Sequence, residues 1–279
     1  MDIYEGGWQD ILPNIGDPTN YKNACLGVHG ELYTLPWEYK TIIDDPTEVK
    51  LELHVRMIRV PFFVTKVITI KRNKPMFETV ETIKNEADES ISFMWGQHIV
   101  FGESFLDESC IIDVPHANKA GTCRRSISEN NIIPLDKKFN WPYIDTLGGD
   151  RLDLSRIMSP NEKTAFSVYL ENISSGWYGI TNINRGIGFG LIWDAAIFKH
   201  IWMWMVYRGS YGFPWYGRTY SVALEPWSSL PDNLDEALKK GNCLKLLPGE
   251  SLTTSYVAVI YESKARIKGF DDKYNVLGV

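Results

Sequence analysis

The fold class is decided by the stretch LELHVR at residues 51–56, in which apolar and polar side chains alternate. Alternation with a period of two is the pattern of a β-strand with one buried face. Similar runs, rich in β-branched and aromatic residues, occur at 62–70, 76–83, 91–95, 165–170, 177–183, 201–207, 220–225 and 254–261. Glycine, proline, asparagine and aspartate separate them, as in turns between short strands. This spacing predicts an all-β sandwich or barrel.

One short helix is predicted near the C-terminus. Asp232 is expected to cap residues 233–240, with acidic side chains in the first turn, lysines in the last and Gly241 at the stop. Residues 118–149 lack periodicity and are predicted to form a long irregular excursion. Because no internal repeat or low-complexity tract divides the chain, residues 1–279 are predicted to form a single domain.

The composition favours a globular protein that binds a small molecule. Hydrophobic residues make up 44% of the 279 residues, enough for a large core. The aromatic share, 13% with 10 Trp and 14 Tyr, also suits a cleft that stacks on the flat faces of sugars. The net charge of -6 argues against a nucleic-acid partner. The basic pairs Arg124-Arg125 and Lys137-Lys138 are therefore interpreted as solvated loop charges.

Cysteine spacing and apolar runs indicate the compartment. The four cysteines show no CxxC spacing, so no zinc or other metal site is expected. The first residues show neither the basic nor the apolar region of a signal peptide. The longest apolar stretch, 187–206, is interrupted by charged residues and is not a membrane span. These features predict a cytoplasmic protein with no membrane partner.

Two histidines and a glutamate are the candidates for chemistry. His29 lies in VHGE, His98 in WGQHIVFG and Glu225 in ALEP. Neighbouring glycines let a ligand approach the backbone closely. If residues 219–225 form a strand, Glu225 shares a face with small residues, which leaves room for a ligand above it. A proton donor, a proton acceptor and a stacking surface are what chemistry on a sugar ring requires.

Structural roles are the alternative for each of these residues. Both histidines could be satisfied, partly buried side chains, and Glu225 could be a solvated carboxylate at the end of a strand. His54 and His116 are interpreted as structural, and His200, among aromatic residues, as part of the core or of an aromatic shelf. The stretch IGFGLIW at 187–193 leaves one strand face almost bare, which suits close sheet packing or the floor of a groove.

Taken in order, these segments resemble the aldose 1-epimerase (galactose mutarotase-like) superfamily. The resemblance rests on GGWQDILPNIG at 6–16, HG at 29–30 and LPWE at 35–38, then on WGQHIVFG at 95–102. It continues through LEP at 224–226, PD at 231–232 and PGES at 248–251. It covers nearly the whole chain and implies an antiparallel β-supersandwich that needs no cofactor.

The resemblance also implies a role for each candidate. Glu225 is expected to act as the base on the anomeric hydroxyl and His98 as the acid on the ring oxygen. His29 is expected either to hold a sugar hydroxyl or to assist at the ring oxygen. The ring would open, the C1–C2 bond would turn, and the ring would close on the other face. Further substrate contacts are expected from two polar residues and a tryptophan wall: Gln9, Asn14, Trp8, Trp177, Trp202, Trp204 and Trp215.

The chain departs from the family pattern in three places. Only five residues precede Gly6-Gly7, where relatives carry several strands, so we expect either an N-terminally shortened form or a protein that lacks those strands. Glu5 stands where the hexose-6-phosphate branch places an arginine, and a carboxylate there would repel phosphate. An unphosphorylated aldose is therefore the expected substrate. The arginine that galactose mutarotases place upstream of the His-Gly pair is not evident, and Gln9 or Asn14 stands in its region.

Two other functions stay open. A carbohydrate-binding protein without catalysis would use the same aromatic cleft. A glycoside hydrolase or lyase on a related fold would need two carboxylates about 5–10 Å apart. Asp153 or Asp194 could then be the partner of Glu225.

Overall fold

Two antiparallel sheets face each other in the computed structural model, which describes residues 6–115 and 119–278. In chain order, the first strands are β1 (Trp8–Ile11), β2 (Thr19–Tyr21), β3 (Ala24–Leu26), β4 (Glu38–Asp44), β5 (Glu48–Arg56), β6 (Phe62–Lys71), β7 (Met76–Asn85), β8 (Ile91–Phe93), β9 (Gly96–Gly102), β10 (Cys110–Asp113), β11 (Ala120–Thr122) and β12 (Lys138–Phe139). The remaining strands are β13 (Tyr143–Asp145), β14 (Arg151–Asp153), β15 (Thr164–Leu170), β16 (Trp177–Asn182), β17 (Ile187–Trp193), β18 (His200–Tyr207), β19 (Tyr220–Trp227), β20 (Leu244–Leu246), β21 (Ser251–Glu262), β22 (Ile267–Phe270) and β23 (Val276–Gly278). The helical elements are α1 (Leu234–Lys239) and the 3-10 turns Leu32–Thr34 and Pro160–Glu162.

The seven-stranded sheet has the order β1-β9-β19-β18-β15-β11-β12, and the eight-stranded sheet has the order β10-β16-β17-β21-β7-β6-β5-β4. Each of the predicted alternating runs falls on one of these strands or on β8, which pairs with β20 in a separate ribbon. The prediction of an all-β, antiparallel β-supersandwich with one short helix is confirmed. No helix among the described residues is long and apolar enough to cross a membrane.

Three local predictions need correction. The run at 91–95 ends at Phe93, because the backbone N–H of Trp95 donates to Ser228 Oγ at 3.0 Å instead of to a strand partner. The cap of α1 is Asn233, not Asp232, since the Asn233 side chain accepts from the N–H of Glu236 at 3.0 Å. The described part of the excursion at 118–149 contains the short strands β11, β12 and β13.

The seven-stranded sheet is buried on both faces in its centre. Along β19, only Ser221 is more than marginally accessible, so the strand does not show the exposed alternate face of an outer strand. One face, with Val222 and Leu224, packs into the core between the sheets. The other face carries Ala223 and Glu225 and is covered by loops. This covered face holds the candidate site.

The glycine-bearing stretch at 187–193 serves sheet packing. It forms β17, and a Cβ at Gly188 would lie 2.3 Å from the ring of Tyr261. A Cβ at Gly190 would lie 2.2 Å from the ring of Phe270. Because aromatic rings fill the space above both glycines, the groove interpretation is wrong for this strand.

Candidate active site

The register of two neighbouring strands brings His98 and Glu225 together. Ile99 of β9 lies opposite Leu224 of β19. His98 precedes Ile99 and Glu225 follows Leu224, so in this antiparallel pair both side chains point to the other face of the sheet. His98 Nε2 therefore lies 3.5 Å from Glu225 Oε1. Both side chains are buried, with residue exposures of 5% and 3%. An imidazole and a carboxyl face each other in a nearly dry environment.

A tryptophan holds the other oxygen of the carboxyl. Trp227 Nε1 donates a hydrogen bond to Glu225 Oε2 at 3.0 Å, and its ring stacks on Trp202 with centroids 4.6 Å apart. Gly96 lies opposite Trp227, and a Cβ there would be 2.3 Å from the indole ring. Glycine at position 96 thus gives Trp227 the space it needs to hold the carboxyl.

Burial shifts the two pKa values in opposite directions. It raises the pKa of Glu225 to about 8, partly offset by the hydrogen bond from Trp227. Burial, together with the smaller effect of nearby His29, lowers the pKa of His98 to about 3. Loss of water disfavours the charged form of each group. At neutral pH the pair therefore holds a single proton, which Glu225 carries beside a neutral imidazole.

His29 completes a cluster of titratable side chains. Its ring centroid lies 5.2 Å from that of His98, and burial lowers its pKa to about 4. The loop is held in place because Gly30 adopts a φ of +68° and forms a bridge with Leu12. A Cβ at Gly30 would lie 2.1 Å from the Leu12 carbonyl oxygen, so only glycine allows this approach.

A cavity of about 550 Å³ has these three side chains in its wall. This volume lies within the range of small-molecule sites. Trp204 and Trp215 lie side by side at 5.3 Å between ring centroids, and with Trp202 they form an aromatic wall. These three of the predicted tryptophans do line the cavity.

The rim of the cavity is charged. Arg124 and Arg125 come from the segment after β11, Asp17 from the loop after β1, and Asp232 and Glu236 from the start of α1. Arg125 pairs with Asp17, and Asp232 accepts from Lys240 Nζ at 2.6 Å. Arg124 and Arg125 are the solvated loop charges that the sequence predicted, with side chains 57% and 77% exposed, but the sequence did not indicate that they reach the cavity. No local pattern could have revealed it, since the segment has no periodicity.

Two predicted tryptophans lie elsewhere. Trp8 pairs with Ile99, so its side chain points to the core face, where it packs against Tyr256. Its Nε1 donates to Gln97 Oε1 at 2.7 Å. Trp177 packs on Phe270 in a separate apolar cluster. Neither lines the cavity, so the expectation that they stack on a sugar there is wrong.

The two predicted polar contacts are also outside the cavity wall. Asn14 is fully buried, donates to the Gly27 carbonyl at 2.7 Å and accepts from the N–H of Leu234 at 2.8 Å. It ties three segments around the site together. Gln9 lies opposite His98 on β1 and shares its face. Among the described residues, its buried Oε1 has no hydrogen-bond partner.

Two of the remaining histidines lie away from the cavity, and the third lies outside the described residues. His54 contacts Glu38 on β4 at 3.3 Å. His200 is buried, accepts from the N–H of Asn172 at 3.3 Å, and has its pKa lowered to about 4 by burial. His116 lies outside the described residues, as does Glu5.

The carboxylates considered for a hydrolase do not meet Glu225. Asp153 accepts hydrogen bonds from Ser155, and Asp194 accepts one from the N–H of Ala196. Neither lines the cavity. Within the described ranges, no three His, Cys, Asp or Glu side chains lie together as a metal site would require.

Comparison with known proteins supports the fold. No family model matches the chain, and no curated protein matches it. A galactose mutarotase related enzyme from Lactobacillus acidophilus has a TM-score of 0.62 at 15% identity, over 93% of this chain and 84% of the other. For a galactose mutarotase-like protein from Clostridium acetobutylicum, the TM-score is 0.59 at 13% identity, over 91% and 78%.

A third structure, of a candidate aldose 1-epimerase from Klebsiella pneumoniae, gives a TM-score of 0.67 at 12% identity. The match covers 92% of this chain and 63% of that protein. Identities this low establish the fold alone. The chain has the fold of the galactose mutarotase-like proteins.

Proposed function

We propose that this protein is an aldose 1-epimerase, which interconverts the α and β anomers of a free sugar. The observation that carries the proposal is the His98–Glu225 pair, 3.5 Å apart in the wall of a cavity that tryptophans also line. One acid and one base are what ring opening requires. Tryptophan faces suit the apolar faces of a sugar ring.

The reaction needs no net exchange of protons with water. Transfer of the shared proton from Glu225 to His98 produces a carboxylate and an imidazolium. The carboxylate then takes the proton of the anomeric hydroxyl, the imidazolium protonates the ring oxygen, and the bond between C1 and the ring oxygen breaks. After the C1–C2 bond turns, the same transfers run in reverse and close the ring on the other face. Each cycle restores the starting pair.

An uncharged aldose is the substrate class that the rim favours. Arg125 is paired with Asp17, Arg124 lies 3.9 Å from Asp136, and Glu236 adds a further carboxyl to the lining, while the charge of Asp232 is offset by Lys240. These acids oppose the attraction of the arginines for a phosphate group. We place the reaction in the cytoplasm, since all four cysteines are free thiols.

Polarimetry or NMR of freshly dissolved α-glucose and α-galactose tests the proposal. The protein should accelerate the approach to the anomeric equilibrium over buffer, and Glu225→Gln should not. Calorimetry with the same sugars and their 6-phosphates should show tighter binding of the neutral sugars. If the protein binds an aldose but accelerates nothing, a carbohydrate-binding protein without catalysis is the better description.

A further inference from the structure

An aromatic loop lies beside the cavity, at residues 208–219 between β18 and β19. Trp215 from this loop lines the cavity. Three more rings of the same loop point into solvent: Tyr211, Phe213 and Tyr216 are 52%, 62% and 58% exposed. Exposed aromatic side chains that cluster at the edge of a pocket mark a binding surface more often than chance placement does.

The loop is held in one shape from both ends. The carbonyl of Gly209 accepts from Ser128 Oγ at 2.6 Å and from Asn130 Nδ2 at 3.0 Å. The N–H of Gly217 donates to the Ser210 carbonyl at 2.8 Å and closes the loop on itself. Rings on a loop fixed in this way lose little conformational entropy when a ligand stacks on them.

We propose that this loop extends the sugar site and that the natural ligand is an oligosaccharide. Its reducing-end ring would occupy the cavity, and the next ring would stack on the surface formed by Tyr211, Phe213 and Tyr216. Trp215 of the same loop belongs to the aromatic wall of the cavity, with its ring 5.3 Å from Trp204, and Phe213 and Tyr216 lie 6.5 Å apart outside it. A glycan suits such a strip because its rings present apolar faces while its hydroxyls stay in water.

The orientation follows from the chemistry at the bottom of the cavity. This step rests on the proposed function, because only a reducing-end ring has the anomeric hydroxyl that Glu225 would deprotonate. The rest of the chain must then leave through the opening. Because Trp215 of the aromatic loop lines the cavity, the exposed rings of that loop are the surface that we expect the second ring to meet.

Calorimetry with sugars of matched reducing ends tests the inference. The probes are glucose against maltose and cellobiose, galactose against galactobiose, and mannose against mannobiose. The disaccharide of at least one set should bind about fivefold to tenfold more tightly than its monosaccharide, the size of one added stacking contact. Tyr211→Ala and Tyr216→Asn should remove this gain and leave monosaccharide binding unchanged. Asparagine is chosen because Tyr216 has a φ of +50°, which asparagine tolerates.

Tyr39→Ala is the matched control, since Tyr39 is 72% exposed on β4 of the other sheet. It should change neither affinity. Equal affinity for both lengths, or an equal loss for both in the loop variants, would overturn the inference while leaving the proposed function in place. Tighter disaccharide binding without any acceleration of mutarotation would support the loop's role and remove the proposed catalysis. Binding of no sugar at either length would reject both.

Discussion

Two buried carboxyl groups differ in what surrounds them: Glu225 on β19 of the seven-stranded sheet and Glu81 on β7 of the eight-stranded sheet. Burial raises the pKa of each to about 8. Glu225 faces His98 at the wall of the cavity. Glu81 lies between the sheets, where Gln97, the neighbour of His98 in the chain, donates to it at 3.1 Å. The strand β9 thus serves two carboxyls, one on each face.

The groups that surround Glu81 all belong to the protein, and a lysine and a tyrosine are among them. Lys66 pairs with Asp10 and lies 3.9 Å from Glu81, and Tyr256 donates to the same carboxyl at 3.3 Å. Burial alone would lower the pKa of Lys66, but the two carboxylates more than offset it and raise the pKa. A shifted pKa therefore does not by itself identify a site. The difference is access, because only Glu225 borders a space that a ligand can enter.

The largest expected effect is the loss of activity when Glu225 or His98 is replaced, which should exceed the change in stability. Glu225→Gln and His98→Ala should each lower mutarotase activity by about 10²–10⁴-fold, since each removes one partner of the acid–base pair. The free energy of unfolding should change by only about 1–2 kcal/mol, because both side chains, although buried, border the cavity on one side. Polarimetry and urea unfolding measure the two quantities.

The matched control for this pair is Ser221→Ala, on the same face of β19 but outside the cavity wall. It should retain full activity. The double variant should be hardly slower than either single variant, because acid and base act as a unit. If His98→Ala unfolds the protein, His98 is a core histidine and the catalytic assignment fails.

For the cluster around Glu81, between the sheets, we expect the opposite result: a large loss of stability and little change in activity. Lys66→Met should lower the free energy of unfolding by about 3–5 kcal/mol, because the nearly buried Asp10 carboxylate loses the cation that pairs with it. Activity per folded molecule should stay near that of the unmodified protein. Lys50→Met on the neighbouring strand β5 is the control and should be nearly neutral. A loss of activity without a loss of stability would show that this cluster also serves the chemistry.

A smaller effect is expected at the glycine that makes room for Trp227. Gly96→Ala places a Cβ 2.3 Å from the indole, so it should cost about 1–3 kcal/mol and weaken the hydrogen bond to Glu225. Gly102→Ala on the same strand is the control, because nothing lies within 4 Å of its Cβ position. Indole fluorescence and activity should change in the first variant only.

The smallest expected effect is the pH dependence near neutrality. Activity requires the pair to hold one proton, and Glu225 gives up that proton as the pH rises through about 8. The enzyme-dependent rate should therefore be level from pH 6 to 7 and fall about tenfold per pH unit well above 8. A rate that rises through pH 8 would instead show that loss of the proton activates the site. The rate of mutarotation in buffer alone is measured at each pH and subtracted from the rate with protein.

Much of the β architecture was predictable because a strand records its buried face in the alternation of its own side chains. The stretch at 51–56 and the run that forms β19 could be read in this way. The tryptophans could not be assigned by type. Trp8 and Trp204 have the same side chain, yet one faces the core and the other the cavity. Which face of the sheet borders a cavity depends on the loops that cover it, and the sequence of a strand contains no information about those loops.

The sequence by itself determined many of the longer strands, the position of the helix, and three residues worth examining: His29, His98 and Glu225. It could do so because period-two patterns and glycine-flanked histidines are local features. Only the tertiary structure decided that His98 and Glu225, far apart in the chain, lie 3.5 Å apart. It also decided that Arg124 and Arg125 reach the rim. Strand register and loop packing are collective properties of the folded chain. The burial that shifts the two pKa values, and the cavity that lets a ligand reach the two groups, depend on them.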